Sequence, residues 1–94
     1  MQFTKRLIDP IVRGEVTVSV RIWKRPHVKV GNAYRCGPGF AVVTSVNEIT
    51  LEDITPGLAR ASGFSGVEDL LKVAKHGAGD NVYLIEFRYS ATGS

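Results

Sequence analysis

Apolar and polar side chains alternate between residues 16 and 23. Val16, Val18, Val20 and Ile22 interleave with Thr17, Ser19, Arg21 and Trp23. A period of two is strand geometry, so the aliphatics point to one face and the hydroxyls, guanidinium and indole to the other. One face builds a core and the other is expected to meet something polar. Two later stretches carry the same signature. Residues 40–49 alternate and are rich in β-branched side chains, and residues 82–89 set Tyr83, Ile85, Phe87 and Tyr89 opposite Glu86 and Arg88. Residues 33–36 read as a short strand between the turns at Gly31-Asn32 and Gly37-Pro38-Gly39.

Helical periodicity appears in three other places. In residues 3–13, Leu7, Ile8, Ile11 and Val12 form a stripe opposite Lys5, Arg6, Asp9 and Arg13, ending at Gly14. Pro10 removes a hydrogen bond and crowds the preceding turn, so the regular part is expected to be a few residues beginning near Asp9-Pro10. Thr55-Pro56 is a cap followed by proline at the first helical position, and that helix should end by Gly63. Ser65 and Glu68 have capping-box spacing before Leu70, Leu71, Val73 and Ala74, which predicts a helix over 66–76, with Lys72, Lys75 and His76 near its end. Residues 90–94 read as a frayed tail. The elements predict one α+β domain over residues 1–94, a small mixed or antiparallel β-barrel of about five strands with two or three helices at its side.

Composition narrows the class. An apolar fraction of 44% with 22% charged residues is that of a soluble globular protein, and no window approaches the roughly 18 apolar residues of a membrane span. No apolar leader resembling a signal peptide opens the chain. Cys36 is the lone cysteine, which excludes an internal disulfide and a thiolate zinc site and points to the reducing cytoplasm. His27 has no second ligand nearby in the sequence, so neither a metal nor a cofactor is expected.

The net charge of +3 matters less than its distribution. Between Glu15 and Glu48 there is no acid, while Arg21, Lys24, Arg25, Lys29 and Arg35 are all positive. Such a patch suits a phosphate-bearing partner, RNA or a nucleotide. Thr17, Ser19 and Arg21 share a strand face and are expected to line one cleft, with Arg21 offering two parallel hydrogen bonds to a phosphate or base edge. The alternative for Arg21 is a structural pair with Glu86. Trp23 and Tyr34, each beside basic residues, are candidates to stack bases. Lys24, Arg25, Lys29 and Arg35 would form the rim.

Taken in order, several segments resemble the ASCH family of the PUA-like superfamily. They are the helix ending in Gly14, the strand Gly14-Glu15-Val16-Thr17-Val18-Ser19-Val20-Arg21, the turn Lys29-Val30-Gly31-Asn32, the helical Ala59-Arg60-Ala61-Ser62-Gly63-Phe64 and the closing Val82-Tyr83-Leu84-Ile85-Glu86-Phe87. The resemblance implies a compact PUA-like barrel and a link to RNA. The family signature, approximately G-x-K-x-x-T-x-R, is matched at Gly14, at Ser19 as one hydroxyl for another, and at Arg21. Val16 stands where the family has lysine. One branch of the family hydrolyses the acetyl amide of N4-acetylcytidine with that lysine, the hydroxyl and a glutamate of the helical region. Here no acid lies between Asp53 and Glu68, so the resemblance implies the binding half of that site without its proton-transfer pair. An RNA- or nucleotide-binding module is therefore the leading reading. A hydrolase of RNA or a modified nucleoside, or a ribonuclease, is the alternative, and a protein-interaction domain is the third.

Overall fold

The computed structural model describes residues 2–74 and 79–94. Its elements run α1 (Lys5–Val12), β1 (Val18–Trp23), β2 (Ala33–Cys36), β3 (Gly39–Ile49), α2 (Pro56–Ala61), α3 (Val67–Ala74) and β4 (Asn81–Ser90), with a 3-10 turn at Leu51–Asp53. The strands form one antiparallel sheet in the order β1-β4-β3-β2. The sheet curls into a half-barrel whose free edges are β1 and β2. Its strands number four among the described residues, not about five. Between Pro26 and β2 the backbone bonds to β3 where the Gly31 N–H donates to the Val43 carbonyl at 2.8 Å and the Val43 N–H to the Asn32 carbonyl at 3.0 Å. In β3 the register against β4 shifts between Val43 and Ser45, leaving Thr44 as the extra residue of a bulge that bends the strand.

Both faces of the sheet are covered. Val20, Ile22 and Val82 pack under α2 and α3 against Ile54, Ala59, Leu70 and Ala74. On the opposite face, Phe87 and Ala41 meet Leu7 and Ile11 of α1. Farther along that face, Tyr83, Ile85 and Val43 meet Trp23 and Val28. The second face of β1 is thus not simply polar, since Trp23 is only 6% exposed and belongs to this core. The curl of the sheet brings the loop after β1 back over that face, which strand alternation cannot show.

α1 begins at Lys5, well before Asp9, and takes Pro10 into its interior. Proline deletes a single ladder bond there, while its own carbonyl accepts from the Glu15 N–H at 2.8 Å as Gly14 turns the chain with φ +76°. With Gly14 N–H donating to the Ile11 carbonyl at 3.0 Å, this is a Schellman motif. α2 starts as expected, Thr55 Oγ1 accepting from the Leu58 N–H at 3.1 Å with Pro56 at the first position. It ends in the same motif, at Gly63 with φ +93°. Ahead of α3 it is Asp69, one position later than Glu68, whose carboxylate takes the Ser65 hydroxyl, and this bond holds the Asp69 pKa below the ordinary carboxylate range. α3 is described to Ala74, and the expected continuation through Lys75, His76 and Gly77 lies outside the described residues. At the other end of the chain, Ser90 lies within β4 and its Oγ accepts from the N–H groups of Thr92, Gly93 and Ser94 at 3.3, 3.0 and 3.2 Å.

Ile85 is completely buried on the central strand β4, opposite Ser19 on one side and Val46 on the other. Ile85→Ala should lower the unfolding free energy by about 2–5 kcal/mol, read as a reduced urea midpoint with an unchanged slope.

Candidate functional site

A cleft of about 480 Å³ opens at the free edge of β1. Its walls come from the N-terminal strap of residues 2–4, from α1, from Phe64 after α2 and from the end of α3, with Ser19, Arg21 and Trp23 on the strand side. The strand also presents backbone to this edge. The Phe87 N–H donates to the Thr17 carbonyl at 2.9 Å, so residues 17, 19 and 21 turn their main-chain groups toward β4 and Val20 turns its own outward. Val20 is among the residues that line the cleft.

Arg21 is the chemical centre. Its side chain is half-buried, and no carboxylate among the described residues pairs with it. Nε donates to Ser19 Oγ at 2.9 Å and Nη2 to the Gln2 carbonyl at 2.7 Å. The guanidinium carbon lies 5.6 Å from the centre of the Phe3 ring, which itself sits 5.4 Å from Phe87. Desolvation pulls the Arg21 pKa down from the ordinary guanidinium value, yet an arginine stays charged in a protein. Of its five N–H donors, three meet no described acceptor, and the Ser19 hydroxyl, having accepted from Nε, keeps its own proton to donate. The expected alternative pair with Glu86 does not form, because Glu86 stands opposite Val18 with its side chain on the other face.

The remaining candidates divide sharply. Ser19 and Arg21 come together, whereas Thr17 is exposed just ahead of β1 and does not line the cleft. Trp23 does, with its indole stacked on His27 at 4.6 Å and 8° and tilted against Tyr83 at 6.2 Å. Tyr34 is engaged elsewhere. Its hydroxyl accepts from the Lys29 N–H at 2.9 Å and closes the turn before β2. Lys24, Arg25, Lys29 and Arg35 are exposed, none lines the cleft, and Arg35 lies over Phe40 at 5.4 Å. The sequence reading missed Gln2, Phe3, Phe64 and Val73, which complete the walls. Nothing in the sequence signals that residues 2–4 cross the edge of β1, because that contact spans nineteen positions.

Cys36 is 2% exposed, and burial pushes its thiol pKa up, which suppresses the reactive thiolate. Val16 is buried and packs with Leu7, Ile11 and Phe87. Among the described residues no three His, Cys, Asp or Glu side chains are grouped to hold a metal ion, and no helix is long and apolar enough to cross a membrane. Compared with models of known protein families, with curated proteins and with solved structures, the chain gives no match.

A cation drawn partly out of water without an anionic partner lowers the stability of the unliganded fold. Arg21→Met keeps the length of the stem and removes the charge. It should leave stability unchanged or raise it by about 1 kcal/mol in urea unfolding. A loss of more than about 2 kcal/mol would show that Arg21 serves the fold through its bonds to Ser19 and Gln2.

Proposed function

We propose that the protein is an ASCH-type, PUA-like module that binds single-stranded RNA or a nucleotide in the Arg21 cleft. The observation that carries this reading is a guanidinium inside a concavity with no carboxylate paired to it among the described residues. Its three unused N–H groups and the Ser19 hydroxyl are all donors, and a site made of donors selects an oxygen-rich anion such as phosphate. His27, whose ring is backed by the buried Trp23, and Phe64 across the cleft offer the flat surfaces on which a base stacks. A volume of about 480 Å³ falls in the range of ordinary small-ligand sites, roughly 300–1,000 Å³.

Binding is favoured over hydrolysis by the chemistry of the lining. Among its described residues the ionisable side chains are Arg21 and His27, and arginine does not act as a base. Amide hydrolysis asks for one group to activate the nucleophile and another to protonate the leaving amine. Val16, buried in the α1 core, supplies neither. The buried thiol of Cys36 suits the reducing cytoplasm in which such a module would meet RNA.

Trp23 is the single tryptophan of the chain and lines the cleft, so its fluorescence reports occupancy. Titration of the protein with single-stranded RNA at low salt should change that fluorescence, with log K falling linearly against log salt, by about 0.7 for each phosphate neutralised. Arg21→Met should weaken binding at least tenfold. No signal and no binding at low salt, with either RNA or a mononucleotide, would overturn the reading.

A further inference from the structure

A second concavity, of about 520 Å³, adjoins the first, and Leu7 and Phe64 line both. It carries two guanidinium groups, Arg6 from α1 and Arg60 from the last turn of α2. Both side chains are exposed, and the one ion pair among the described residues, Arg13 with Glu15 at 2.7 Å, involves neither. Glu15 is the acid that lines this concavity, and Arg13 engages both its carboxylate oxygens, at 2.7 and 3.2 Å. Asp69, whose charge Arg6 feels, is held by the Ser65 hydroxyl. With Arg13 counted, three guanidinium groups stand against the carboxylates of Glu15 and Asp69.

Phe64 stands between the two charged ends, and its position is rigid. Gly63 turns at φ +93°, its N–H donates to the Arg60 carbonyl at 3.0 Å, and the Phe64 N–H donates to the Ala59 carbonyl at 2.9 Å. This Schellman motif fixes Phe64 and Arg60 relative to one another. A Cβ at Gly63 would collide with a Leu7 methyl, so α1 closes on the same turn. Arg6 completes the unit with its guanidinium 5.1 Å from the Phe64 ring centre.

We propose that the two concavities form one track for a single-stranded RNA, with one phosphate on Arg21, a base against Phe64 and the neighbouring phosphate on Arg6 and Arg60. The inference rests on the RNA reading above. It routes the strand from the edge of β1 toward α1 and α2, away from Lys24, Arg25, Lys29 and Arg35, which line neither concavity. Phosphates space the cations and the aromatic ring separates successive contacts, the arrangement by which single-strand binders follow a backbone without reading sequence.

The test compares uridine 5′-monophosphate with hexauridylate by Trp23 fluorescence at several salt concentrations. The full protein should bind the hexamer at least tenfold more tightly than the mononucleotide. In the double variant Arg6→Ala, Arg60→Ala that advantage should vanish and the hexamer's salt slope should flatten by about 0.7, the value for the one phosphate that the two arginines share. Its affinity for the mononucleotide should be unchanged, which also shows the fold to be intact. The pair Arg6→Lys, Arg60→Lys should retain most of the hexamer affinity, since lysine still holds a phosphate as a point charge. A hexamer that binds the double alanine variant as it binds wild type would overturn the track while leaving the Arg21 reading in place. The same holds if hexamer and mononucleotide bind equally and both depend on Arg21. Failure of both probes to bind the unmodified protein would overturn the track and the RNA reading together.

Discussion

The last strand of the chain holds the sheet together. β4 pairs with β1 along one side and with β3 along the other, so neither β1 nor the β2-β3 hairpin is tied to the rest until residues 81–90 are in place. In the case of β1 these pairings run from Trp23 with Asn81 to Val18 with Glu86, far apart in the chain, and contacts of that range form at the full entropic cost of closing a long loop. Burial of Tyr83, Ile85 and Phe87 against α1 and the β1–β2 connection, with Val82 on the opposite face beneath α2 and α3, offsets that cost.

The same topology creates the cleft. Because β4 occupies only one side of β1, the other side is a free edge, and an uncovered edge in a small protein invites pairing with another chain. Here the edge is screened by the strap at residues 2–4, by Phe64 and by the end of α3, which stand off far enough to leave a cavity. The strap also supplies the Gln2 carbonyl that holds Arg21 Nη2 and the Phe3 ring that lies beneath the guanidinium. Covering an edge and aiming a cation are thus done by the same short strap, through Gln2 and Phe3. Ser19 is a positioning residue as well as a donor, since its Oγ fixes Nε from two positions away on the same face.

The two Schellman turns, at Gly14 and Gly63, serve the site in a different way. Each reverses the chain within one residue of positive φ and sends the following apolar side chain, Val16 or Phe64, toward the α1 core. Phe64 thereby becomes the partition between the two concavities, and Arg6 and Arg60 gather about it from different helices. Of the basic residues clustered in the sequence, Arg21 alone lines a concavity, while Arg6 and Arg60 are brought together by the fold from separate helices.

The sequence by itself determined whatever depends on local repetition. The strand alternation at residues 18–23, 40–49 and 82–89, the Thr55-Pro56 cap and the amphipathic stripe of α3 are all local, because a period of 2 or 3.6 and a cap act within a few residues. Alternation also put Ser19 and Arg21 on one face, and that part of the site was legible. Where local rules compete, they misled. Pro10 looked like a barrier to α1, yet one lost ladder bond is tolerated when Leu7 and Ile11 bury against the sheet. The tertiary structure alone decided that Trp23 would be both core and cleft wall, that Tyr34 would latch a turn and that Thr17 would face solvent. It also decided that Gln2, Phe3 and Phe64 would meet Arg21's strand at all. Those outcomes depend on which surfaces the curled sheet brings together across the chain, and side-chain spacing carries no record of contacts at that separation.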